Sequence, residues 1–147
     1  MMHPFPHTYI ASARGGNTGS TMLASPQLPE LESAAPPEFG GPGGLWSPET
    51  LLCASLADCF VLSFRALSRA ARFEWTNLEC RVEGLLERVE HVSRFTSFRT
   101  FARLAVADGT DLDKARALLE KAEQSCLIAN SLSAERHLQA EIVSADN

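Results

Sequence analysis

The stretch from Ser47 to Arg72, SPETLLCASLADCFVLSFRALSRAAR, constrains the fold of this chain more than any other. Its start carries helix signals: Ser47 is a good N-cap, Pro48 suits the first helical position, and Glu49 falls in the first turn, where the helix dipole favours negative charge. The polar residues of the predicted helix form one narrow stripe: Ser55, Asp58, Arg65, Arg69 and Arg72. A helix that is apolar on its other sides is usually buried. A small domain encloses such a helix by wrapping a sheet around it or by pairing with another subunit.

The composition is that of a soluble globular protein, with 45% hydrophobic and 21% charged residues. A length of 147 residues predicts one domain with a core that needs no disulfide or metal to hold it. We therefore expect a single domain over residues 1–147. We expect residues 1–7 to be flexible and residues 25–46, which are rich in proline and glycine, to form a long surface loop.

Several classes of function are disfavoured by the charge and cysteine patterns. There is no basic stripe with interleaved aromatic residues, which argues against nucleic-acid binding. The start of the chain lacks a signal-peptide pattern, and Asp58 and Arg65 interrupt the apolar helix, so we expect a cytoplasmic protein that does not span a membrane. The four cysteines have no CxxC pair and no nearby histidine at zinc-ligand spacing, so no metal or cofactor is expected.

The N-terminal part reads as a small β-structure. Residues 8–14 and 20–24 are strand candidates, and the glycine-rich segment Gly15–Gly19 between them suits a hairpin-like turn. A further short strand is expected near residues 28–31.

Two longer strand candidates follow the helix, over residues 77–89 and 95–107. Each alternates apolar and polar side chains, which is typical of antiparallel strands with one buried face. Residues 90–93 would form the connecting turn, and Gly84 suggests a β-bulge. Residues 136–143 are expected to form a final strand, which completes an α+β fold.

A second helix is expected after these strands, capped by Thr110 or Asp111. Its apolar stripe is predicted to contain Leu112, Ala115, Leu119 and Ala122. Four residues further on, the same stripe reaches Cys126. The segment CLIANSL then suggests a separate short helix capped by Ser125.

The cysteines are the strongest candidates for chemistry. Cys53 and Cys59 are six residues apart on one helix, about 9 Å along its axis, and point apart, so they cannot form a disulfide with each other. Cys53 and Cys80 are best explained as small buried hydrophobic residues. For Cys59 and Cys126 the residues leave both a structural and a redox role open, because packing of the two helices could bring them together. No GxSxG motif supports a serine hydrolase.

Four segments, in this order, resemble the OsmC/Ohr family of thiol-dependent peroxidases: the glycine turn Gly15–Gly19, then EFGGPGG, SPETLL…DCF and AEQSCLIANSL. The resemblance runs from about Thr8 to Val143. Its most specific part is the combination of Glu49 and Cys59 with a second helical cysteine, Cys126. The resemblance implies an α+β, OsmC-like fold with antiparallel sheets around a long central helix. It also implies a homodimer of intertwined subunits with sites at the dimer interface.

The resemblance also implies a mechanism. Cys59 would be the peroxidatic cysteine that attacks an organic hydroperoxide and becomes a sulfenic acid, and Cys126 would be the resolving cysteine that forms a disulfide with it. A dithiol reductant, lipoyl-bearing in the family, would restore both thiols. Glu49 would position an arginine that stabilises the thiolate.

This chain departs from the family pattern at two positions. Asn17 stands where the peroxidases have the arginine, and Leu127 stands where proline usually follows the second cysteine. Arg14, three residues before Asn17, is the candidate for stabilising the thiolate, although Arg65 and Arg69 on the helix are alternatives. The alternative function is a non-catalytic, dimeric OsmC-like protein that binds a ligand or senses redox state.

Overall fold

The computed structural model describes residues 2–145. The chain separates into two compact units, Met1–Leu51 and Leu52–Asn147. Met1, the first residue of the segment expected to be flexible, lies outside the described residues. Residues 2–7 have no regular secondary structure and are exposed.

The N-terminal unit contains a three-stranded antiparallel sheet in the order β1-β2-β3. Its strands are β1 (Ser12–Arg14), β2 (Thr21–Ala24) and β3 (Leu31–Ser33). The glycine-rich segment joins β1 to β2 as a hairpin, as the sequence predicted. The third strand begins at Leu31, where the expected strand over residues 28–31 would end.

The proline- and glycine-rich segment 25–46 is more ordered than the expected surface loop. It contains β3 and a 3-10 helix over Pro37–Phe39. The carbonyl of Trp46 accepts hydrogen bonds from the Ala34 amide and the Ser33 hydroxyl, each at 2.9 Å. These bonds close the segment back on itself, and a local sequence pattern does not reveal them because the bonded residues lie 12 and 13 positions apart.

The long apolar helix, α1, spans Pro48–Ala70. Its start is a reciprocal cap: the Ser47 hydroxyl accepts from the Thr50 amide at 3.1 Å, and the Thr50 hydroxyl accepts from the Ser47 amide at 2.9 Å. This arrangement satisfies donors that the first helical turn otherwise leaves unpaired. The helix ends before Arg72, whose φ of 53° lies in the left-handed region and breaks helical geometry.

In the C-terminal unit, α1 buries a stripe at four-residue spacing: Leu56, Phe60, Phe64 and Ser68. Yet only 17% of its most apolar 18-residue window is buried. The helix is long and apolar enough to cross a membrane by length and composition, which is weak evidence because core helices of soluble proteins pass the same test. The chain alone does not provide the full enclosure that the sequence predicted for α1.

The C-terminal sheet has the order β4-β5-β6. Strand β4 spans Asn77–Val89, β5 spans Val92–Val106 and β6 spans Glu135–Ser144. The turn between β4 and β5 is tighter than expected, because only Glu90 and His91 lie between the strands, with φ of 52° and 68°. Positive φ at both central residues is typical of the two-residue turns that match strand twist.

Strand β6 runs parallel to β5, so this sheet is mixed and not purely antiparallel. Between them the chain forms α2 (Leu112–Ser125) and α3 (Leu127–Asn130). A connection of this length carries the chain back to the starting edge, so the next strand enters in the same direction. The alternating pattern of β6 predicts a strand but does not encode its direction.

The β-bulge that was expected at Gly84 is not at that residue, although the register of β4 is irregular close by. The register shifts between Leu85 and Leu86. A Cβ atom on Gly84 would lie 2.8 Å from the Phe98 ring and 2.9 Å from the Phe95 ring. These rings stack with their centroids 5.0 Å apart, so glycine is needed there for packing.

Helix α2 is capped by Asp111, whose carboxylate accepts from the Lys114 amide at 3.1 Å. Its buried residues are Ala115, Leu118, Leu119 and Ala122. Leu112 was predicted in this stripe but is 52% exposed. Leu118 is buried in its place. The elements that pack against α2, and not the spacing of leucines alone, decide which face of the helix is buried.

Replacing Asp111 with alanine is expected to lower the free energy of unfolding by about 1 kcal/mol, because the cap hydrogen bond is lost. Urea denaturation at neutral pH measures this loss. The matched control is Asp113→Ala, which removes the same charge from the first turn without touching the cap. Equal losses for the two variants would show that charge near the helix start, and not the cap, is responsible.

Candidate functional site

Cys59 lies on α1 between the buried Leu56 and Phe60 and is itself partly buried. It packs against a cluster whose buried members are Leu56, Phe98, Cys126 and Ala129. The Ser63 hydroxyl, one helical turn later, lies 4.0 Å from the Cys59 sulfur. Ser63 was not singled out from the sequence, although its spacing of four residues places it on the same face as Cys59.

Cys126 forms the junction between α2 and α3. Its backbone, at φ −64° and ψ 106°, is extended, so it is both the C-cap of α2 and the N-cap of α3. Its carbonyl accepts from the Asn130 amide at 2.9 Å. The expected cap, Ser125, is instead the last residue of α2. Cys126 is only 1% exposed, as the extended apolar stripe predicted.

The structure brings the Cys59 and Cys126 thiols together, and both are free. Burial is the main reason that the pKa of Cys126 is raised to about 11. A hydrogen bond to Cys59 and the charges of Cys59 and Glu123 raise this pKa further, whereas a backbone hydrogen bond from Ala129 lowers it. Cys126 is therefore held as a protonated thiol at neutral pH, beside a second sulfur.

The other two cysteines are partly buried, consistent with a packing role. Burial raises the pKa of Cys80 to about 12, and the charges of Glu123 and Cys126 add to the rise. Burial also raises the pKa of Cys53, against a hydrogen bond from the Gly84 backbone that lowers it. Because the thiolate is the reactive form, burial lowers the reactivity of both thiols at neutral pH.

Arg136, from β6, contacts residues on both sides of Cys126. Its Nε atom donates to Glu123 Oε1 at 2.9 Å, and its guanidinium also donates to the Glu123 carbonyl. The third guanidinium nitrogen, Nη1, donates to Asn130 Oδ1 at 2.7 Å. Beside these groups and Cys126 lies a cavity of about 10 Å³, with room for about one water molecule. Neither Arg136 nor Glu123 was predicted from the sequence, because they come together only when β6 returns to the end of α2.

In the N-terminal unit, Glu49 lies in the first turn of α1. Its Oε1 atom is buried and has no hydrogen-bond partner among residues 2–145. Glu49 lines a largely apolar cleft of about 540 Å³, together with Leu23, Pro36 and Phe39 among others. A buried carboxyl oxygen without a donor is unfavourable, so this position suits a hydrogen-bond donor.

Arg14 is exposed and pairs with Glu30 through two hydrogen bonds of 2.9 Å. This pairing holds the pKa of the Glu30 carboxyl below its ordinary value. Asn17 is exposed in the turn after β1. Among residues 2–145, no three His, Cys, Asp or Glu side chains gather in a way that could hold a metal ion.

Because Cys80 and Cys126 have raised pKa values, folding stability is expected to fall as pH rises above about 9. Unfolded thiols ionise near their ordinary value of 9.0, whereas the folded protein keeps these two protonated to about 12 and 11. The unfolded state then binds fewer protons than the folded state, so the free energy of unfolding declines with pH.

Urea denaturation at about pH 8 and about pH 10.5 tests this expectation. Wild type should lose more stability between the two conditions than the Cys80→Ala/Cys126→Ala variant. Parallel losses in the two proteins would contradict the expectation and assign the alkaline loss to other groups.

Comparisons with known proteins agree with this architecture. The family model described as OsmC-like protein matches residues 41–141. The uncharacterized protein YmaD of Bacillus subtilis (strain 168) is 29% identical over 140 residues, which is 92% of each chain. Among solved structures, the organic hydroperoxide resistance protein OsmC of Legionella pneumophila is 26% identical, with a TM-score of 0.74 over 95% of this chain and 99% of its own.

An OsmC-like protein of unknown function from Vibrio cholerae superposes with a TM-score of 0.82, at 14% identity, over 92% of this chain and 99% of its own. That likeness shows the fold alone. The family match covers more than two thirds of the sequence, including α1, both long strands, Cys59 and Cys126. The chain therefore belongs to the OsmC/Ohr family of OsmC-like proteins.

Proposed function

We propose that this protein is a thiol-dependent peroxidase that reduces organic hydroperoxides, with Cys59 as the peroxidatic and Cys126 as the resolving cysteine. The observation that carries the proposal is the packing of two free thiols in one cluster: Cys59 is partly exposed on α1, and Cys126 is buried at the junction of α2 and α3. Family membership and the hydroperoxide-resistance protein of Legionella pneumophila support the same reading.

In the first step, the Cys59 thiolate attacks the terminal oxygen of the hydroperoxide. A sulfur–oxygen bond forms and the oxygen–oxygen bond breaks, so the organic part leaves as an alkoxide that takes up a proton and becomes the alcohol. Cys59 is oxidised to a sulfenic acid. The partial exposure of Cys59 permits this step, because the peroxide must reach the sulfur.

In the second step, the Cys126 sulfur attacks the Cys59 sulfur. The sulfur–oxygen bond breaks, and the hydroxide that leaves takes the proton of the Cys126 thiol and becomes water. A Cys59–Cys126 disulfide results. A dithiol reductant, of the lipoyl-bearing class in the proposal, then exchanges with this disulfide and returns both cysteines to thiols while it becomes a disulfide itself.

Glu49 is proposed to position the cation that stabilises the Cys59 thiolate. Its buried oxygen without a donor supports this role, because a guanidinium group would satisfy it. Arg14 is the proposed cation. Its ion pair with Glu30 is exposed, and such pairs are weak in water, so the guanidinium can exchange partners.

The active form is proposed to be an intertwined homodimer in the cytoplasm. Two features of one chain support the dimer: the large unburied part of α1, and the Glu49 oxygen, which has no donor among the described residues 2–145. A second copy of the chain would cover the unburied part of α1 and could supply a donor to the Glu49 oxygen. Sedimentation equilibrium at micromolar concentration tests the assembly, and a monomer would contradict it.

Thiol titration after one equivalent of cumene hydroperoxide tests the proposed reaction. Two of the four thiols should be lost per chain, and peptide mapping should find them in a Cys59–Cys126 disulfide. In Cys126→Ser, a sulfenic acid should accumulate on Cys59 and react with dimedone. No loss of thiols in wild type would refute the peroxidase.

The second candidate function is a redox sensor that forms the same disulfide without rapid turnover. Asn17 and Leu127, which replace the arginine and proline of the peroxidase pattern, favour it. Steady-state assays with dihydrolipoamide distinguish the two functions. Disulfide formation over minutes without sustained peroxide consumption would favour the sensor.

A further inference from the structure

The segment that carries Cys126 contains little that would hold it in place by itself. Helix α3 has only four residues, Leu127–Asn130, and Cys126 makes no side-chain cap at its start. Helix α2 has no basic residue in its last turn, where a cation would complement the dipole. Within this segment, the position of the buried thiol is therefore not fixed by capping groups.

Arg136 supplies that fixation from the neighbouring strand. It binds the carboxylate and carbonyl of Glu123, three residues before Cys126, and the side chain of Asn130, four residues after it. Asn130 in turn donates to the Gln124 carbonyl at 3.1 Å. These bonds close a ring of contacts around the cysteine, in which a single planar guanidinium holds both flanks.

The pair is also partly shielded from water. The side chains of Arg136 and Glu123 are 27% and 16% exposed, whereas the Arg103–Glu141 pair on the same sheet is 57% and 67% exposed. A shielded charge that loses its partner acts on its surroundings more strongly than an exposed one. The charged and titratable groups around Cys126 are Glu123 on α2, Arg136 on β6, Cys59 on α1 and Cys80 on β4.

We propose that Arg136 is a positioning residue for Cys126: through Glu123 and Asn130 it fixes the thiol against Cys59 and neutralises the Glu123 carboxylate beside it. The inference rests on the proposed function only for the resolving role of Cys126. In that role the Cys126 sulfur must reach the sulfenic sulfur of Cys59, and a displacement of about 1 Å can slow such a step on the order of 100-fold.

The closing experiment measures Cys126 in the reduced full-length protein, without peroxide. Iodoacetamide labelling at a series of pH values is quantified by mass spectrometry on the peptide that carries Cys126. In Arg136→Met the limiting labelling rate, reached above the midpoint, should rise on the order of tenfold, because the segment opens more often. The midpoint of the pH profile should rise, because the uncompensated Glu123 charge disfavours the thiolate.

Further variants separate position from charge. Arg136→Met/Glu123→Gln should bring the midpoint back down but keep the faster labelling. Arg136→Lys should keep the wild-type midpoint and show an intermediate rate. The matched control is Arg103→Met, which removes an arginine from an exposed pair and should leave both quantities unchanged. Circular dichroism checks that each variant is folded. If Arg136→Met does not fold, Asn130→Ala tests instead whether the bond between Arg136 and Asn130 helps to fix Cys126.

A wild-type labelling profile in Arg136→Met, or in Asn130→Ala where that variant replaces it, would overturn the proposal. So would an unchanged midpoint in Arg136→Met, which would mean that the pair does not set the charge at Cys126. Stopped-flow measurement tests the effect of Arg136→Met on the proposed reaction. Sulfenic acid formation on Cys59 should be unchanged, and conversion of the sulfenic acid to the disulfide should slow on the order of 10- to 100-fold. If wild type forms no sulfenic acid, the peroxidase proposal fails, while the labelling profile still decides the role of Arg136.

Discussion

Replacing Cys59 with serine is expected to reduce hydroperoxide consumption to the uncatalysed background, a loss on the order of 1,000-fold or more. A serine hydroxyl is not ionised at neutral pH and cannot form the sulfenic acid from which Cys126 makes the disulfide. The measurement is stopped-flow consumption of cumene hydroperoxide with a dithiol reductant in excess.

The matched control for this loss is Cys53→Ser. Cys53 lies on the same helix, is likewise partly buried and packs in the same cluster. Unlike Cys59, it is not among the groups that shift the pKa of Cys126. It should keep near wild-type activity. Full activity in Cys59→Ser would remove Cys59 from the mechanism, whereas equal losses in the two variants would point to damage to the helix.

Replacing Phe64 with alanine is expected to lower the free energy of unfolding by about 3–5 kcal/mol. Phe64 is fully buried on α1, with its ring edge-on to Trp75 at 5.3 Å and to Phe73 at 6.5 Å between centroids. Removing the ring leaves a cavity that two fixed aromatic neighbours cannot fill. Urea or thermal denaturation measures the loss.

Val92→Ala provides the comparison for that variant, since Val92 is 57% exposed at the tip of the β4–β5 hairpin. It should change the free energy of unfolding by about 0.5 kcal/mol or less. A loss below about 1.5 kcal/mol in Phe64→Ala would mean that the core repacks around the missing ring. The assignment of Phe64 as a central core residue would then be wrong.

Local signals in the sequence located several elements well. The serine, proline and glutamate before the apolar run predicted the start of α1, and the structure places the helix at Pro48–Ala70. The alternation over residues 77–89 matches β4 residue for residue. Asp111 was one of two caps considered for α2, and its carboxylate makes the cap bond. Each signal acts within a few residues of the feature it predicts, which is why a sequence can carry it.

The candidate site was likewise predicted only in part from the sequence. Resemblance to a family singled out Cys59 and Cys126, and helical spacing placed each on an inward face. Their contact depends on the packing of α1 against the junction of α2 and α3, which no local pattern encodes. Their roles in catalysis, like those of Glu49 and Arg14, stay predictions until the variants are measured.

The sequence by itself determined where α1 begins and which residues alternate in the long strands, because caps and periodicity are short-range properties. Its resemblance to a family also identified the two thiols to test. Only the tertiary structure decided that β6 runs parallel to β5, that Gly84 makes room for two aromatic rings, and that Arg136 binds both flanks of Cys126. These features join residues on different elements. The register of β4 against β5 sets the Gly84 contact, and the direction in which the chain returns after α3 sets the other two. Both follow from packing of the whole unit and not from neighbouring residues alone.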